Sequence, residues 1–233
     1  MSSISVIIPA RDPRGFLEET LASVAAQTRP PTSTVIVDDG SVDNVVVDAV
    51  AQFPAVTLIR QEPLGCSTAR NRGAAASDSD FLLFLDADDL LRPEALKVMG
   101  ATLEADAALQ MVHGRIFEFV DHRYPPPPGV RHRDAVVAAR LPGSTLLRRS
   151  VWNGVGGFNE QLSRGEWIDW MSRVVDLGLA SADIDDVVLE RRLHTFNKSS
   201  SGGDKTRYLT TVMRAAVLRK RQQQASERID ARD

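Results

Sequence analysis

Residues 81–90 read FLLFLDADDL and join an apolar run to a cluster of acids. Five apolar residues run from Phe81 to Leu85 without interruption, as expected of a strand that is buried on both faces of a sheet. The acids Asp86, Asp88 and Asp89 would then lie at the carboxyl edge of the sheet, where open α/β folds bind ligands. Asp86 and Asp88 are two residues apart and would share a face. A divalent cation between them is one interpretation, and a plain acidic turn is the other.

Short apolar segments alternate with helical periodicity over the first ninety residues. The segments that predict strands are Ile4–Ile8, Thr34–Val37, Val56–Ile59 and Phe81–Leu85. The segments that predict helices are Arg14–Gln27, Val42–Gln52 and Gly65–Ala76. Such alternation is typical of an α/β fold with crossover helices, so we expect a central, mostly parallel sheet.

The remaining pattern is less regular. Leu96, Met99 and Leu103 give a helix that follows Pro93, and Trp167–Leu177 gives another. Strands are expected over 109–120, 144–147 and 187–193, and loops over 124–129, which holds four prolines, and 199–203. A C-terminal amphipathic helix is expected to carry an apolar stripe of Leu209, Val212, Met213, Ala216 and Val217. That stripe could contact a partner, for example in a homo-oligomer.

Composition restricts the class of protein. The chain has 233 residues, 43% of them apolar, and a net charge of −3, which predicts no general attraction to nucleic acid or anionic membranes. Its single cysteine, Cys66, cannot form an intrachain disulfide, and this fits a reducing compartment. No secretory leader pattern and no apolar run of about 20 residues is present. We therefore expect a cytoplasmic protein without a transmembrane segment.

Seven short segments occur in a characteristic order: SVIIPARD, VIVDDGS, ARNRG, FLLFLDADD, GSTLLRR, GGFNE and RRLHTFNKS. Together they make the chain resemble the inverting family 2 glycosyltransferases, over about residues 4–199. The resemblance implies a single Rossmann-like GT-A domain over 1–199, with a nucleotide-binding half over about 1–92 and an acceptor half over about 93–199. Residues 200–233 would form a loop and a C-terminal helical extension. The implied enzyme is of the hexosyltransferase type, and moves a sugar from a nucleotide-sugar, in particular a UDP-sugar, to a glycan, lipid, peptide or small-metabolite hydroxyl.

The resemblance implies that the donor is bound by Pro9, Asp38, Asp39, Arg70 and Asp86. Asp38 or Asp39 would accept a hydrogen bond from the nucleobase, since a carboxylate only accepts and uracil N3 donates. The alternative is an Asx turn at this strand end. Arg70 would contact the base or a phosphate, and a solvated helix arginine is its alternative.

A Mn²⁺ or Mg²⁺ site formed by Asp86, Asp88 and His194 is also implied. Asp86 would contact ribose or the metal, and Asp88 would bind the metal that the diphosphate shares. A neutral imidazole is an acceptable ligand for an ion such as Mn²⁺, whereas a purely structural histidine is the alternative. Asp89 is expected to cap the helix near Pro93 or to support the other two acids.

The general base is expected on the helix that follows the GGFNE segment. Relatives usually present Glu-Asp there, but in this chain Trp167 follows Glu166. Glu166 and Asp169 are three residues apart and share a helix face, so either could take the acceptor proton, with Asp169 preferred. The alternatives are acids favoured by the helix dipole and an Asp169–Arg173 surface pair. Trp167 and Trp170 could line the acceptor site or pack in the core.

Two other functions compete with this prediction. The altered base motif would suit a non-catalytic protein that binds sugar nucleotides as a scaffold. A nucleotidyltransferase also uses acids at strand ends and a metal. That class of enzyme would need a Gly-rich phosphate loop after the first strand, where Pro9-Ala10-Arg11-Asp12 stands.

Overall fold

A computed structural model of the chain describes residues 1–126 and 134–197, together with Thr210, Met213 and Val217. These three isolated residues are helical, and the side chains of Met213 and Val217 are exposed. The rest of the predicted C-terminal helix and the predicted loop over 199–203 lie outside the described residues.

Nine strands and six helices form the described part of the chain. The strands are β1 (Ile4–Ala10), β2 (Ser33–Asp39), β3 (Val56–Gln61), β4 (Phe81–Phe84), β5 (Leu90–Leu91), β6 (Met111–Val120), β7 (Ala135–Val137), β8 (Thr145–Arg148) and β9 (Ser181–Leu193). The helices are α1 (Leu17–Ala25), α2 (Val45–Ala51), α3 (Cys66–Ala75), α4 (Ala95–Ala105), α5 (Arg149–Val155) and α6 (Glu166–Asp176), and one 3-10 turn spans Pro142–Ser144. Over residues 1–126 and 134–197, no helix combines the length and hydropathy needed to cross a bilayer.

The first four strands form the parallel half of the sheet, in the order β3-β2-β1-β4. Every residue of β4 is buried, which confirms the prediction of a strand covered on both faces. Apolar residues of α1, α2 and α4 pack on one face of the sheet, and those of α3, α5 and α6 pack on the other. Because all four strands run in one direction, their carboxyl ends meet at one edge.

Beyond β4 the sheet is mixed. β8 lies antiparallel between β4 and β6, β6 is parallel to β9, and both β5 and β7 pair antiparallel with their neighbours. The α/β fold class is confirmed. The first half of the sheet is wholly parallel, and the second half combines the parallel pairing of β6 with β9 and shorter antiparallel pairings. The local apolar pattern marks where a strand lies; its direction depends on how the chain returns to the sheet.

Two helices begin later than the sequence pattern indicates. The backbone at Arg14 and Gly15 has φ of 51° and 81°, which a right-handed helix does not allow, so α1 begins at Leu17 and not at Arg14. Helix α2 begins at Val45, whose backbone N–H donates to the Asp43 carboxylate at 3.1 Å. Helix α6 lies within one residue of its predicted bounds.

The three tryptophans form one aromatic cluster in the core. Trp167 and Trp170 are stacked with ring centroids 5.4 Å apart, and Trp152 stacks on Trp170 at 6.0 Å. The indole N–H of Trp167 donates to the Arg140 carbonyl at 2.7 Å, and that of Trp170 donates to the Gly156 carbonyl at 2.9 Å. Both rings are buried, so of the two roles considered for them the structure supports core packing.

A buried histidine lies in the mixed half of the sheet. His113 of β6 is 1% exposed, and its Nδ1 is 2.9 Å from the Thr145 hydroxyl. Burial, with a smaller contribution from the charge of Arg140, lowers the pKa of His113 to about 4. This imidazole is therefore neutral in the folded protein at neutral pH.

Candidate active site

The three acids after β4 converge at the carboxyl edge of the sheet. Ligand atoms of Asp86, Asp88 and Asp89 all lie within 4.8 Å of one another. The side chains of Asp86 and Asp88 are 42% and 30% exposed, whereas Asp89 is buried. Burial, and then the charges of Asp88 and Asp86, raise the pKa of Asp89 well above its usual range. The site is thus a crowded set of carboxylates that is open to solvent on one side.

Arg70 joins this cluster to helix α6. Its guanidinium donates from Nη2 to Asp86 Oδ1 at 2.6 Å and from Nη1 to Glu166 Oε1 at 2.7 Å, although its side chain is 3% exposed. Burial would lower the pKa of Arg70, but the charges of Cys66, Asp86 and Glu166 outweigh it and the net pKa is raised. The alternative of a solvated helix arginine is therefore wrong, because Arg70 bridges a predicted donor residue and a predicted base.

Asp88 is held by the segment that follows β9. Its Oδ2 lies 2.9 Å from His194 Nε2 and 3.4 Å from the Asn197 amide nitrogen. The backbone N–H of Phe196 donates to His194 Nδ1 at 3.1 Å, so the imidazole carries its proton on Nε2 and donates it to Asp88. The structure therefore brings His194 to the acid cluster as the sequence indicated, in the position of a hydrogen-bond partner of Asp88.

A second buried arginine, Arg192, binds the segment that carries the acids. Arg192 donates from its backbone N–H to Asp89 Oδ1 at 2.9 Å and from Nε to the Asp88 carbonyl at 2.9 Å. Its other nitrogens bind Asp121 at 2.6 Å and Glu19 at 2.5 Å. Asp89 does not cap α4, whose N-cap is Glu94, so that part of the prediction is wrong. The Asp89 carboxylate instead ties the acidic segment to β9 through its bond with the Arg192 N–H.

The two acids that end β2 have separate partners. Asp38 accepts from the backbone N–H of Ser41 at 2.9 Å and from Arg60 Nε at 2.9 Å. Asp39 accepts from the Leu64 and Gly65 N–H groups at 2.8 and 2.9 Å, and from the Gln61 amide at 2.8 Å. Both carboxylates are buried. Asp38 thus holds the turn at Ser41, three residues further along, whereas the alternative considered for it, an Asx turn, would use the N–H two residues on; Asp39 fixes the loop that leads into α3.

The loop after β1 lies beside the end of β2. Pro9 pairs with Val37 in the register of the two strands. The Asp12 N–H donates to the Ser41 hydroxyl at 3.0 Å, and Asp12 Oδ1 accepts from the Val42 N–H at 3.0 Å. These bonds hold the left-handed backbone at Asp12, a conformation that non-glycine residues adopt mainly where the surroundings enforce it.

The two candidate bases on α6 differ in their surroundings. The Glu166 side chain is 16% exposed and binds Arg70. The Asp169 side chain is 4% exposed and forms an i,i+4 ion pair with Arg173 Nε at 3.2 Å. The Arg173 guanidinium also donates to the carbonyls of Val155 and Gly157, so it ties α6 to the preceding turn. Of the two acids, Glu166 is the one connected to the acid cluster.

Sequence reasoning missed the residues that assemble the site from distant segments. Asn71, next to Arg70, exchanges hydrogen bonds with both backbone groups of Phe158 at 3.0 and 2.8 Å and so docks α3 on the GGFNE turn. Arg192 and Asn197 hold Asp88 and Asp89 from β9 and the residues after it. All three lie inside the motifs that carry the resemblance, and a polar residue placed within such a motif is the signal that could have found them.

The donor set fits a divalent cation. Three carboxylates within 4.8 Å of one another repel, and burial together with this repulsion raises the pKa of Asp89. A hard cation with oxygen ligands would relieve the repulsion. Mg²⁺ and Mn²⁺ both prefer such ligands.

The match to a known family decides the identity of the chain. Residues 5–158 match the model of the glycosyl transferase family 2. The chain belongs to this family. An uncharacterized glycosyltransferase of Haemophilus influenzae is 28% identical over 182 residues, which cover 74% of the chain and 62% of that protein. The Escherichia coli chondroitin synthase is 25% identical, over 84% of the chain and 30% of that protein. The family 2 chain thus spans less than two thirds of either relative.

Solved structures share the fold. Staphylococcus aureus TarS 1-349 in complex with UDP-GlcNAc superposes with a TM-score of 0.71 at 20% identity, over 93% of this chain and 66% of that one. TarS 1-349 in complex with UDP gives a TM-score of 0.62 over 82% of this chain and 60% of that one. The α/β arrangement of this family 2 chain is therefore the GT-A fold.

Proposed function

We propose that the protein transfers a sugar from a UDP-sugar to an acceptor hydroxyl with inversion at the anomeric carbon, and that transfer depends on Mn²⁺ or Mg²⁺. The observation that carries this proposal is the network through Arg70. It connects Asp86, at the carboxyl edge, to Glu166 on α6 through hydrogen bonds of 2.6 and 2.7 Å. One buried group thereby sets the distance between a predicted donor site and a predicted base. Residues 1–199 would form the transferase domain, with 200–233 as an extension.

A uracil nucleotide is supported by two lines of evidence. TarS, which shares the fold, is described in complexes with UDP and with UDP-GlcNAc. In this chain Asp38 and Asp39 end β2, and either could accept from a base N–H once one of its present donors is displaced. Pro9 and the Asp12 loop line the adjoining strand end.

The metal would be held by Asp86 and Asp88, with His194 as a further candidate ligand. A bound divalent cation offsets the negative charge that develops on the departing nucleoside diphosphate. Arg70 keeps Asp86 in place through its 2.6 Å bond, and Arg192 fixes the backbone at Asp88. His194 and Asn197 orient the Asp88 carboxylate. These contacts preorganise the acids before any ligand binds.

Inverting transfer needs one base for the acceptor proton, and we assign that role to Glu166. The hydroxyl oxygen bonds to the anomeric carbon, the bond from that carbon to the diphosphate oxygen breaks, and the hydroxyl proton passes to the carboxylate. Glu166 is connected to the donor side and retains some exposure, whereas Asp169 is committed to Arg173. Because of these different surroundings, we prefer Glu166 as the general base, whereas the sequence alone favoured Asp169.

The experiment that tests this function measures UDP release. The protein is incubated with a panel of UDP- and GDP-sugars, with and without Mn²⁺, and release of the nucleoside diphosphate is followed together with binding by calorimetry. We expect Mn²⁺-dependent UDP binding and slow UDP release from one UDP-sugar through hydrolysis, faster when an acceptor is supplied. A higher affinity for GDP than for UDP would contradict the proposal, and so would a UDP affinity that is the same with and without Mn²⁺.

A non-catalytic nucleotide-sugar binder is the second candidate function. It is favoured by the buried Trp167, which occupies the position after Glu166 where the resemblance implies an acid. Tight Mn²⁺-dependent UDP binding with no release of UDP from any donor or acceptor would support it. A nucleotidyltransferase would release pyrophosphate instead, and the family to which the chain belongs speaks against that function.

A further inference from the structure

One arginine beside the acid cluster has a different environment from the others. Arg14 lies in the loop after β1, and its guanidinium carbon is 3.8 Å from the centroid of the Phe196 ring. Both residues are exposed, and Arg14 has a left-handed backbone with φ of 51°. The ring therefore covers one face of a planar cation, while the N–H groups lie along the edge of that plane.

The charge of Arg14 has no counterpart in the described structure. Across residues 1–126 and 134–197 its guanidinium makes no hydrogen bond or ion pair. Two neighbouring arginines that also approach aromatic rings, Arg123 and Arg192, are both paired with Asp121 and Glu19. A guanidinium that is stacked on a ring yet lacks an anionic partner is suited to an oxyanion supplied from outside the chain.

A short path of contacts places Arg14 next to the candidate donor site. Phe196, on which Arg14 stacks, donates its backbone N–H to His194 Nδ1 at 3.1 Å. His194 in turn lies 2.9 Å from Asp88 Oδ2. The Arg14 loop is itself fixed to the end of β2 through Asp12. Two residues, Phe196 and His194, thus link the unpaired cation to Asp88, one of the acids that would share a metal with a diphosphate.

We propose that Arg14, held flat by Phe196, binds the diphosphate of the nucleotide donor. The inference rests on the proposed function, because it takes a nucleoside diphosphate as the ligand. The phosphate oxygens supply the acceptors that the guanidinium lacks, and the planar fork can contact two of them together. Arg14 is then a binding residue contributed by the β1–α1 loop, and Phe196 is the residue that positions it.

The test is calorimetric titration of the full chain with UDP and with inorganic pyrophosphate, both in the presence of Mn²⁺. Arg14→Met keeps the unbranched stem and removes the charge. A charge-assisted hydrogen bond corresponds to about ten- to hundredfold in affinity, and we expect that loss for both ligands. Phe196→Leu removes the ring and should cost about two- to fivefold, the range of an exposed cation–π contact. Arg14→Lys should recover part of the Arg14→Met loss.

Lys97→Met is the matched control, because Lys97 lies on α4 outside the candidate site, its side chain is 60% exposed, and its removal changes the net charge equally. We expect it to alter UDP affinity less than threefold, an order-of-magnitude bound for an exposed charge. Equal losses in Lys97→Met and Arg14→Met would overturn the proposal, since a general charge effect would explain both. A loss confined to UDP, with pyrophosphate unchanged, would overturn it too. If the parent binds neither ligand, the proposed function fails as well; if the parent and Arg14→Met bind UDP equally, this inference alone fails.

Discussion

The amide variants of Glu166 and Asp169 should fail in different ways, although both residues lie on one face of α6. In Glu166→Gln the side chain keeps its shape and an oxygen that can accept from Arg70 Nη1, which now lies 2.7 Å from the carboxylate. We therefore expect this variant to fold as the parent does and to retain Mn²⁺-dependent UDP binding. Loss of a positioned general base typically costs about 10²–10⁴ in rate, and turnover should fall by that factor.

Asp169→Asn should act on stability instead. The carboxylate is 4% exposed and pairs with Arg173 at 3.2 Å, and breaking a buried pair can cost about 3–5 kcal/mol. Arg173 also donates to two backbone carbonyls and is 19% exposed, so the variant leaves it partly satisfied. The free energy of unfolding is then expected to fall by about 1–3 kcal/mol. At roughly 2–4 °C per kcal/mol for a chain of this size, the Tm should fall by about 2–12 °C.

Scanning calorimetry and UDP release from the active donor measure the two effects separately. The parent, Glu166→Gln and Asp169→Asn are compared at one pH and one Mn²⁺ concentration. If Asp169→Asn keeps the parent Tm and loses turnover while Glu166→Gln transfers sugar normally, the base is Asp169 and our reading of the environments is wrong. If both variants transfer at the parent rate, the base does not lie on α6.

Three further changes test other parts of the site and the core. Asp88→Ala should abolish Mn²⁺-dependent UDP binding with little change in Tm, because the side chain is 30% exposed; calorimetry showing the parent affinity would exclude Asp88 as a metal ligand. Asp38→Ala and Asp39→Ala are made singly, and one of them should reduce the preference for UDP over GDP by about ten- to hundredfold. If neither variant changes the relative affinities for UDP and GDP, the nucleobase binds elsewhere. The pKa of His113 is about 4 in the folded protein and about 6.5 in the unfolded chain. Between these pH values only the unfolded chain gains the proton. The free energy of unfolding should therefore fall by up to about 3 kcal/mol as the pH drops from 6.5 to 4. Urea unfolding of His113→Gln should show a flatter pH dependence there, and an identical slope would refute the assignment.

The parallel half of the fold could be predicted because its signals are local. An apolar run such as Phe81–Leu85 specifies a buried strand by itself, and the acids that follow it are adjacent in sequence. Helix α6 was found for the same reason, since its apolar periodicity lies within eleven residues. The mixed half could not be read in this way. Strand β8 enters between β4 and β6 through pairings with residues more than thirty positions away, and no local pattern encodes them.

The roles of polar side chains were predicted less well than their positions. Arg70 lies in the expected motif, but its two carboxylate partners come from the segment after β4 and from α6, 16 and 96 residues away. Trp167 and Trp170 flank the candidate bases in sequence, yet their rings turn into the core because burying an indole there outweighs keeping it at the surface. Which neighbour a long side chain reaches is decided by tertiary packing.

The distribution of arginines indicates which acid most needs a cation. Asp86 shares Arg70 with Glu166, and Asp89 accepts a backbone N–H from Arg192. Asp88 accepts from His194 and Asn197, and in the described part of the chain no arginine or lysine pairs with it. Of the two acids that are open to solvent, Asp88 therefore has the less compensated charge, because only Asp86 has an ion pair with an arginine. Between these two, a divalent cation would gain more at Asp88, where an ion pair with arginine or lysine does not already offset the charge.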